Sequence, residues 1–143
     1  MNKQDAKVHA SPRGFQYTLG NGYRLSIMFD HGNYCDNRRG SLATDGVINS
    51  SNFEVAIFTP DDKFVTLIDK PEDEDGIRRV EQVIGWVPAW TLPNLIRRVS
   101  YFPEYRLGLH DQLRAYALGF GEFCEDARDE AQNAKKKMEQ VSD

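Results

Sequence analysis

Apolar and polar positions alternate on both sides of Gly20-Asn21-Gly22. Phe15-Gln16-Tyr17-Thr18-Leu19 comes before it, and Tyr23, Leu25, Ile27 and Phe29 follow at period two, on one face of an extended chain. Asn-Gly accepts the positive φ of a tight turn, so the two runs predict a β-hairpin. Phe53-Glu54-Val55-Ala56-Ile57-Phe58 reads as a third strand and Thr59-Pro60-Asp61-Asp62 as a turn. Phe64-Val65-Thr66-Leu67-Ile68 then reads as a fourth strand, closing a second hairpin. Asp69 to Gly76 reads as a solvated acidic loop, and Val83-Ile84-Gly85-Trp86-Val87 as a fifth strand, with a short helical turn as the alternative.

The period then changes to that of a helix. Thr91 is a capping residue, Pro93 falls in a first turn where its missing N–H costs nothing, and Leu92, Leu95, Ile96 and Val99 make one apolar stripe. Pro103 ends this helix. From Leu109 to Val141 one long helix is predicted. Leu113, Ala117, Phe120, Cys124, Ala127, Ala131, Ala134, Met138 and Val141 recur at alternating spacings of four and three, as in a helix-pairing seam. Gly119 and Gly121 weaken it by about 1 kcal/mol each relative to Ala, and mark a kink or a close contact. Lys135-Lys136-Lys137 suits the negative pole of the helix dipole. At 1.5 Å per residue such a helix runs roughly 45 Å, longer than a domain of this size is wide. It must project or pack on a neighbour, unless its last two turns fray, so self-association through residues 109–141 is expected.

The fold class expected is therefore α+β: an antiparallel sheet of four to five strands in two hairpins, a short helix, and a long C-terminal helix. One domain covers residues 1–143, with a flexible tail at 1–12, a β-rich half at 15–87 and a helical half at 91–141.

Composition adds exclusions. A chain of 143 residues with 40% hydrophobic and 28% charged residues can bury one ordinary core. No apolar run nears the roughly 20 residues that span a bilayer. Met1 to Gly14 lacks the apolar stretch of a secretory signal, and two cysteines, Cys35 and Cys124, make no disulfide framework. A reducing cytoplasm and no membrane association are expected. The net charge of −4 disfavours direct nucleic-acid binding, which wants a basic excess.

The chemistry concentrates between His31 and Ser51, a stretch rich in Gly, Asn, Asp and Ser. Loops of about 20 residues in a compact domain are usually functional or disordered. Asn33, Tyr34, Asp36, Asn37, Arg38 and Arg39 pack donors, acceptors and an aromatic ring directly after a strand, where binding residues tend to sit. The plain alternative is a structural loop whose Asn and Asp side chains satisfy turns, with Tyr34 and Cys35 in the core. One Cys and one His do not make a zinc site, so no metal and no cofactor is expected. Cys35 with His31 or His110 is the most plausible nucleophile and base, although no third orienting group is evident. No phosphate-binding glycine motif occurs. Arg24 and Arg97, among seven arginines from Arg24 to Arg98, would build an anion pocket only if they converge. Of Trp86 and Trp90, one is expected to pack the helix onto the sheet, and Trp90 is the candidate interface anchor.

Asn21-Gly22-Tyr23-Arg24-Leu25-Ser26-Ile27 followed by Gly32-Asn33-Tyr34-Cys35-Asp36-Asn37 resembles small proteins encoded by tailed phages and prophages. So do Phe53 to Phe58 and Val83 to Val87 with the helix after them. The likeness covers the first hundred or so residues and omits the long helix. It carries no established activity, so it transfers no catalytic residue. It implies an accessory phage protein in the cytoplasm of an infected bacterium, of a kind often directed against host or defence functions. The expectation is a non-enzymatic inhibitor. It would bind a bacterial host or defence protein, or oligomerise and sequester a small anionic, nucleotide-like ligand. An enzyme using Cys35, or a structural component of a phage particle, is the alternative.

Overall fold

The structure, a computed structural model, describes residues 6–11, 13–30, 32–38, 49–106 and 109–141. Seven strands are found there: β1 (Lys7–Ser11), β2 (Gly14–Thr18), β3 (Arg24–Met28), β4 (Asn52–Phe58), β5 (Ile68–Lys70), β6 (Arg79–Glu81) and β7 (Val83–Pro88). A 3-10 turn at Ala89–Thr91 leads into α1 (Leu92–Ser100), and α2 runs from His110 to Val141. The fold is α+β. The main sheet is antiparallel in the order β1-β2-β3-β4-β7, and β5 and β6 form a separate two-stranded hairpin.

The period-two pattern decides which face of the sheet is the core. Leu25, Ile27, Val55, Ile57 and Ile84 are buried on one face, where they meet Leu95 and Val99 of α1 and Ala117, Phe120 and Cys124 of α2. Burial of such side chains stabilises the fold by about 1.5–3 kcal/mol each. The opposite, outer face carries the alternate residues. Register places Lys7, Thr18, Arg24 and Phe58 in one cross-strand row, His9, Gln16, Ser26 and Ala56 in the next, and Met28 beside Glu54 in a third.

The first hairpin forms where Asn-Gly predicts it, but Asn21 does more than turn. Gly22 takes the positive φ (94°). The Asn21 side chain is buried and donates to the backbone oxygens of Val99 (2.8 Å) and Phe102 (3.3 Å), tying the turn to the end of α1. Tyr23 reinforces the tie by donating from its hydroxyl to Pro103 O at 2.8 Å. Burial pushes that phenol up to about 12, with Tyr105 adding to the shift.

Four expectations need correction. Residues 7–11 of the expected tail form β1, held by pairing with β2 although the side chains of residues 7–10 stay exposed. Residues 64–68 do not make a fourth strand of the main sheet. Phe64 forms one isolated bridge to Phe58, after which Val65 and Leu67 drop into the core and the chain leaves to pair as β5. The acidic segment is not wholly loop, since Asp69 and Lys70 belong to β5. Thr91 does not cap α1 with its side chain. Its hydroxyl donates to Pro88 O at 2.7 Å, while Pro93 sits in the first turn as expected.

The long helix is continuous through both glycines. A Cβ at Gly121 would collide with the Leu67 carbonyl, so this glycine lets β5 approach α2, whereas Gly119 faces open space. Ion pairs then clamp the small hairpin to the helix: Asp69 to Arg114 (2.8 Å), Lys70 to Glu125 (2.9 Å), and Arg79 to Glu125. Burial raises the Glu125 carboxyl, but the hydrogen bonds from Lys70 and Arg79 outweigh it and leave the group below its ordinary value. The seam is covered through Ala127. Beyond it Ala134 and Met138 are exposed, Met138 at 74%.

Candidate functional site

The turn after β3 lies over the outer face at the start of β4 and is braced by backbone hydrogen bonds within it and by polar side chains of its own and of β4. Asn33 is buried, and its Oδ1 accepts from Asp30 N at 3.1 Å. Asn37 donates from Nδ2 to Phe29 O (2.7 Å) and Asn49 O (2.9 Å). Asp36 accepts from the Ser51 hydroxyl (2.5 Å) and Asn52 Nδ2 (3.0 Å), while its N–H donates to Asn52 Oδ1 at 2.8 Å. Those two side-chain hydrogen bonds hold the Asp36 carboxyl below its usual range, and the Lys135 ammonium on α2 adds to the pull. Asn33, Asp36 and Asn37 thus brace the loop with their side chains, with Asp36 left exposed, while Tyr34 is not in the core as the plain alternative reading of the motif has it.

Beside Asp36 the loop presents Tyr34 and, half-buried, Arg38. The Tyr34 N–H donates to Glu54 Oε2 at 2.9 Å, and its carbonyl accepts from Trp86 N at 2.7 Å. A Cβ at Gly85 would overlap the Tyr34 side chain, so only glycine lets the loop sit this close to β7. Above that contact the Tyr34 and Trp86 rings lie 5.5 Å apart, and the Arg38 guanidinium covers the Tyr34 ring at 4.2 Å. The three groups form one loose stack, its two rings tilted by 44°, with Tyr34 43% and Trp86 38% exposed.

The backbone under this stack is strained. Between Phe53 and Val55 the register shifts, so Gly85 and Trp86 together oppose Glu54. Such a bulge re-aims a side chain. Trp86 has φ of 53°, in a region that a bulky residue enters at a cost of about 1–3 kcal/mol, and that cost tends to be found at functional sites. Neither tryptophan packs the helix onto the sheet: Trp86 is turned outward and Trp90, on the 3-10 turn, is 60% exposed. The expectation that one would be core is overturned by the bulge, which spends the position on the outer face.

A second stack stands at the other end of β4. The Arg24 guanidinium covers the Phe58 ring at 4.6 Å, and the Phe58 and Phe64 rings are 4.5 Å apart. Arg24 also pairs with Asp62 at 2.8 Å. Glu54 and Phe58 point to the same face, four residues apart, so the stacks are separated by about 13 Å at roughly 3.3 Å per residue. Ser26 and Ala56 lie between them as a buried floor of small side chains. A shallow concavity lined by His9, Gln16, Thr18, Arg24 and Met28 opens beside that floor.

The remaining candidates fall elsewhere. Arg97 is exposed on α1, in the helical layer on the other side of the sheet, so Arg24, Arg38 and Arg97 do not line one pocket. Arg39 and His31 lie outside the described residues. Cys35 is buried with its thiol directed at Asp30 O (3.7 Å), and burial pushes that thiol up, away from the thiolate a nucleophile needs. His110 belongs to the opposite end of the sheet, beside Thr59 and Lys63. Burial likewise raises the Cys124 thiol. Among the described residues no three His, Cys, Asp or Glu side chains group as metal ligands, and no helix is long and apolar enough to cross a membrane.

No protein-family model, curated protein or solved structure matches this chain, so the comparisons do not bear on the phage resemblance or on activity.

Proposed function

We propose that this protein is a non-enzymatic binding protein that docks on an acidic surface of a partner protein through the outer face of its sheet. The observation that carries the reading is the Arg38–Tyr34–Trp86 stack, held half-exposed on a strained backbone at the head of β4. Arg, Tyr and Trp are the residues most enriched among binding hot spots, and stacked planar groups lose little conformational entropy on association. Lys7 and Arg38 bring positive charge to the outer face in a chain of net charge −4, while Arg24 is paired with Asp62 and the Glu54 carboxylate accepts from the Tyr34 N–H. An acidic partner surface complements that distribution and is steered to it. The phage resemblance adds the partner's source: a bacterial host or defence protein, met in the cytoplasm of the infected cell.

The test is purification from a bacterial host with wild type, Tyr34→Ala, Arg38→Glu and a Tyr101→Ala control on α1's end. The reading expects one complex whose affinity falls at least about 30-fold, or about 2 kcal/mol, in the first two variants and stays put in the control. A complex indifferent to Tyr34 and Arg38, with all variants folded, would refute it.

A further inference from the structure

A second, separate concavity of about 300 Å³ lies where the 59–66 turn meets the first turns of α2. Its volume matches the lower end of small-molecule sites. Leu113, Ala117 and Val65 form an apolar floor continuous with the core, and Phe64 and Tyr105 supply aromatic walls. The polar groups that line it are of one kind: the Lys63 ammonium, the His110 imidazole, the Arg114 guanidinium, and the hydroxyls of Thr59 and Thr66. Among the described residues that line the cavity there is no carboxylate. Asp61 lies at its edge, 3.6 Å from Lys63 Nζ and accepting from the Thr59 and Tyr105 hydroxyls, and Asp69 lies 2.8 Å from Arg114 Nη1, so both cations are held by a neighbouring carboxylate. His110 opens the 32-residue α2, whose unpaired N–H groups add partial positive charge on the same side.

From this arrangement we infer a binding site for a small organic anion with a planar apolar body, such as an aryl or heteroaryl phosphate or carboxylate. The body lies on Leu113 and Ala117 between the aromatic walls, and the acid group takes hydrogen bonds from Lys63, His110 and Arg114. Neither half suffices. An inorganic anion leaves the apolar floor wet, and a neutral ring offers no acceptor to the N–H donors of Lys63, His110 and Arg114. None of these residues belongs to the Arg38–Tyr34–Trp86 stack, so this site stands or falls independently of the docking face.

Phenyl phosphate, inorganic phosphate and phenol are the probes, titrated into isotope-labelled protein while amide resonances are followed. The inference expects phenyl phosphate to shift the resonances of Thr66, His110 and Arg114 saturably, and to bind at least about tenfold more tightly than either half alone. Lys63→Glu and His110→Glu should each weaken phenyl phosphate at least about tenfold. Both positions are exposed, and a carboxylate at the start of α2 favours the helix, so an unchanged or raised melting temperature separates lost binding from lost folding. Unsaturable or scattered shifts, equal binding of inorganic phosphate, or indifference to both substitutions would overturn the site.

Discussion

Trp86 holds the least comfortable backbone conformation of any large side chain in the described protein, and the cost is local enough to measure. Replacing it by glycine removes the steric penalty at φ 53° together with the contact to Tyr34. The two effects oppose each other, each on the order of 1 kcal/mol, so Trp86→Gly is expected to unfold in denaturant within about 1 kcal/mol of wild type. Trp86→Val keeps the strain and loses the ring, and is expected to cost about 2 kcal/mol or more. A loss in the glycine variant as large as in the valine one would show that the strain is not there. The glycines of α2 form a similar pair. Gly119→Ala fills open space and is expected to stabilise by up to about 1 kcal/mol, whereas Gly121→Ala drives a methyl into the Leu67 carbonyl and is expected to destabilise despite the same gain in propensity. None of these conformations was legible in the chain. Nothing in Gly85-Trp86 signals a left-handed tryptophan, and the residues that stack are 34, 38 and 86, brought together by a bulge and not by spacing.

Elements were more readable than residues because periodicity averages over several side chains. The Asn-Gly hairpin follows from alternation about a turn dipeptide and the helix at 110–141 from heptad-like spacing, and the strand at 83–88 is expected with a helical turn as its alternative. The strands that escaped are β1, a short edge strand whose residues 7–10 are all exposed, and β6, three residues of a separate hairpin. Residues 64–68 read as extended, and they are, but alternation does not say which partner an extended segment takes. Val65 and Leu67 are core residues, but the Val65 N–H donates to Ile57 O of β4 and the Leu67 N–H to Glu81 O of β6, so the segment passes from one sheet to the other. The final turns of α2 are helical by propensity without being held by the core. Residues 132–140 are exposed, so ending the chain after Ala131 is expected to shift the melting temperature by no more than about 3 °C, roughly 1 kcal/mol for a protein of this length. A larger drop would mean that this segment packs against something, and a second copy of the helix, the expected mode of self-association, would be the first to test.

Carboxylates pin the molecule both at the β5–α2 contact and in the turn after β3. Asp69 is held low by hydrogen bonds from Arg114 and Arg78, Asp36 by Ser51 and Asn52, and Glu125 stays below its ordinary value despite burial. Each binds a proton less readily folded than unfolded. Their contribution is therefore complete above the ordinary carboxylate range, near 4, and is lost as pH falls through the lowered folded values. Stability measured by denaturant is expected to fall steeply below about pH 4, and less steeply in Glu125→Gln, which has no charge left to lose there. An unaltered slope in that variant would remove Glu125 from the account. The same molecule turns the outer sheet face to solvent with two arginine–aromatic stacks upon it, and the docking proposal rests there. Site-specific photo-crosslinking in bacterial cells tests it most directly, with the photoreactive residue placed at position 34 or 86 on the face, or at 101 or 116 among the helices. The account predicts one discrete crosslinked protein from positions 34 and 86 and none from 101 and 116. The same product from the helical positions, or none from the face, would contradict it.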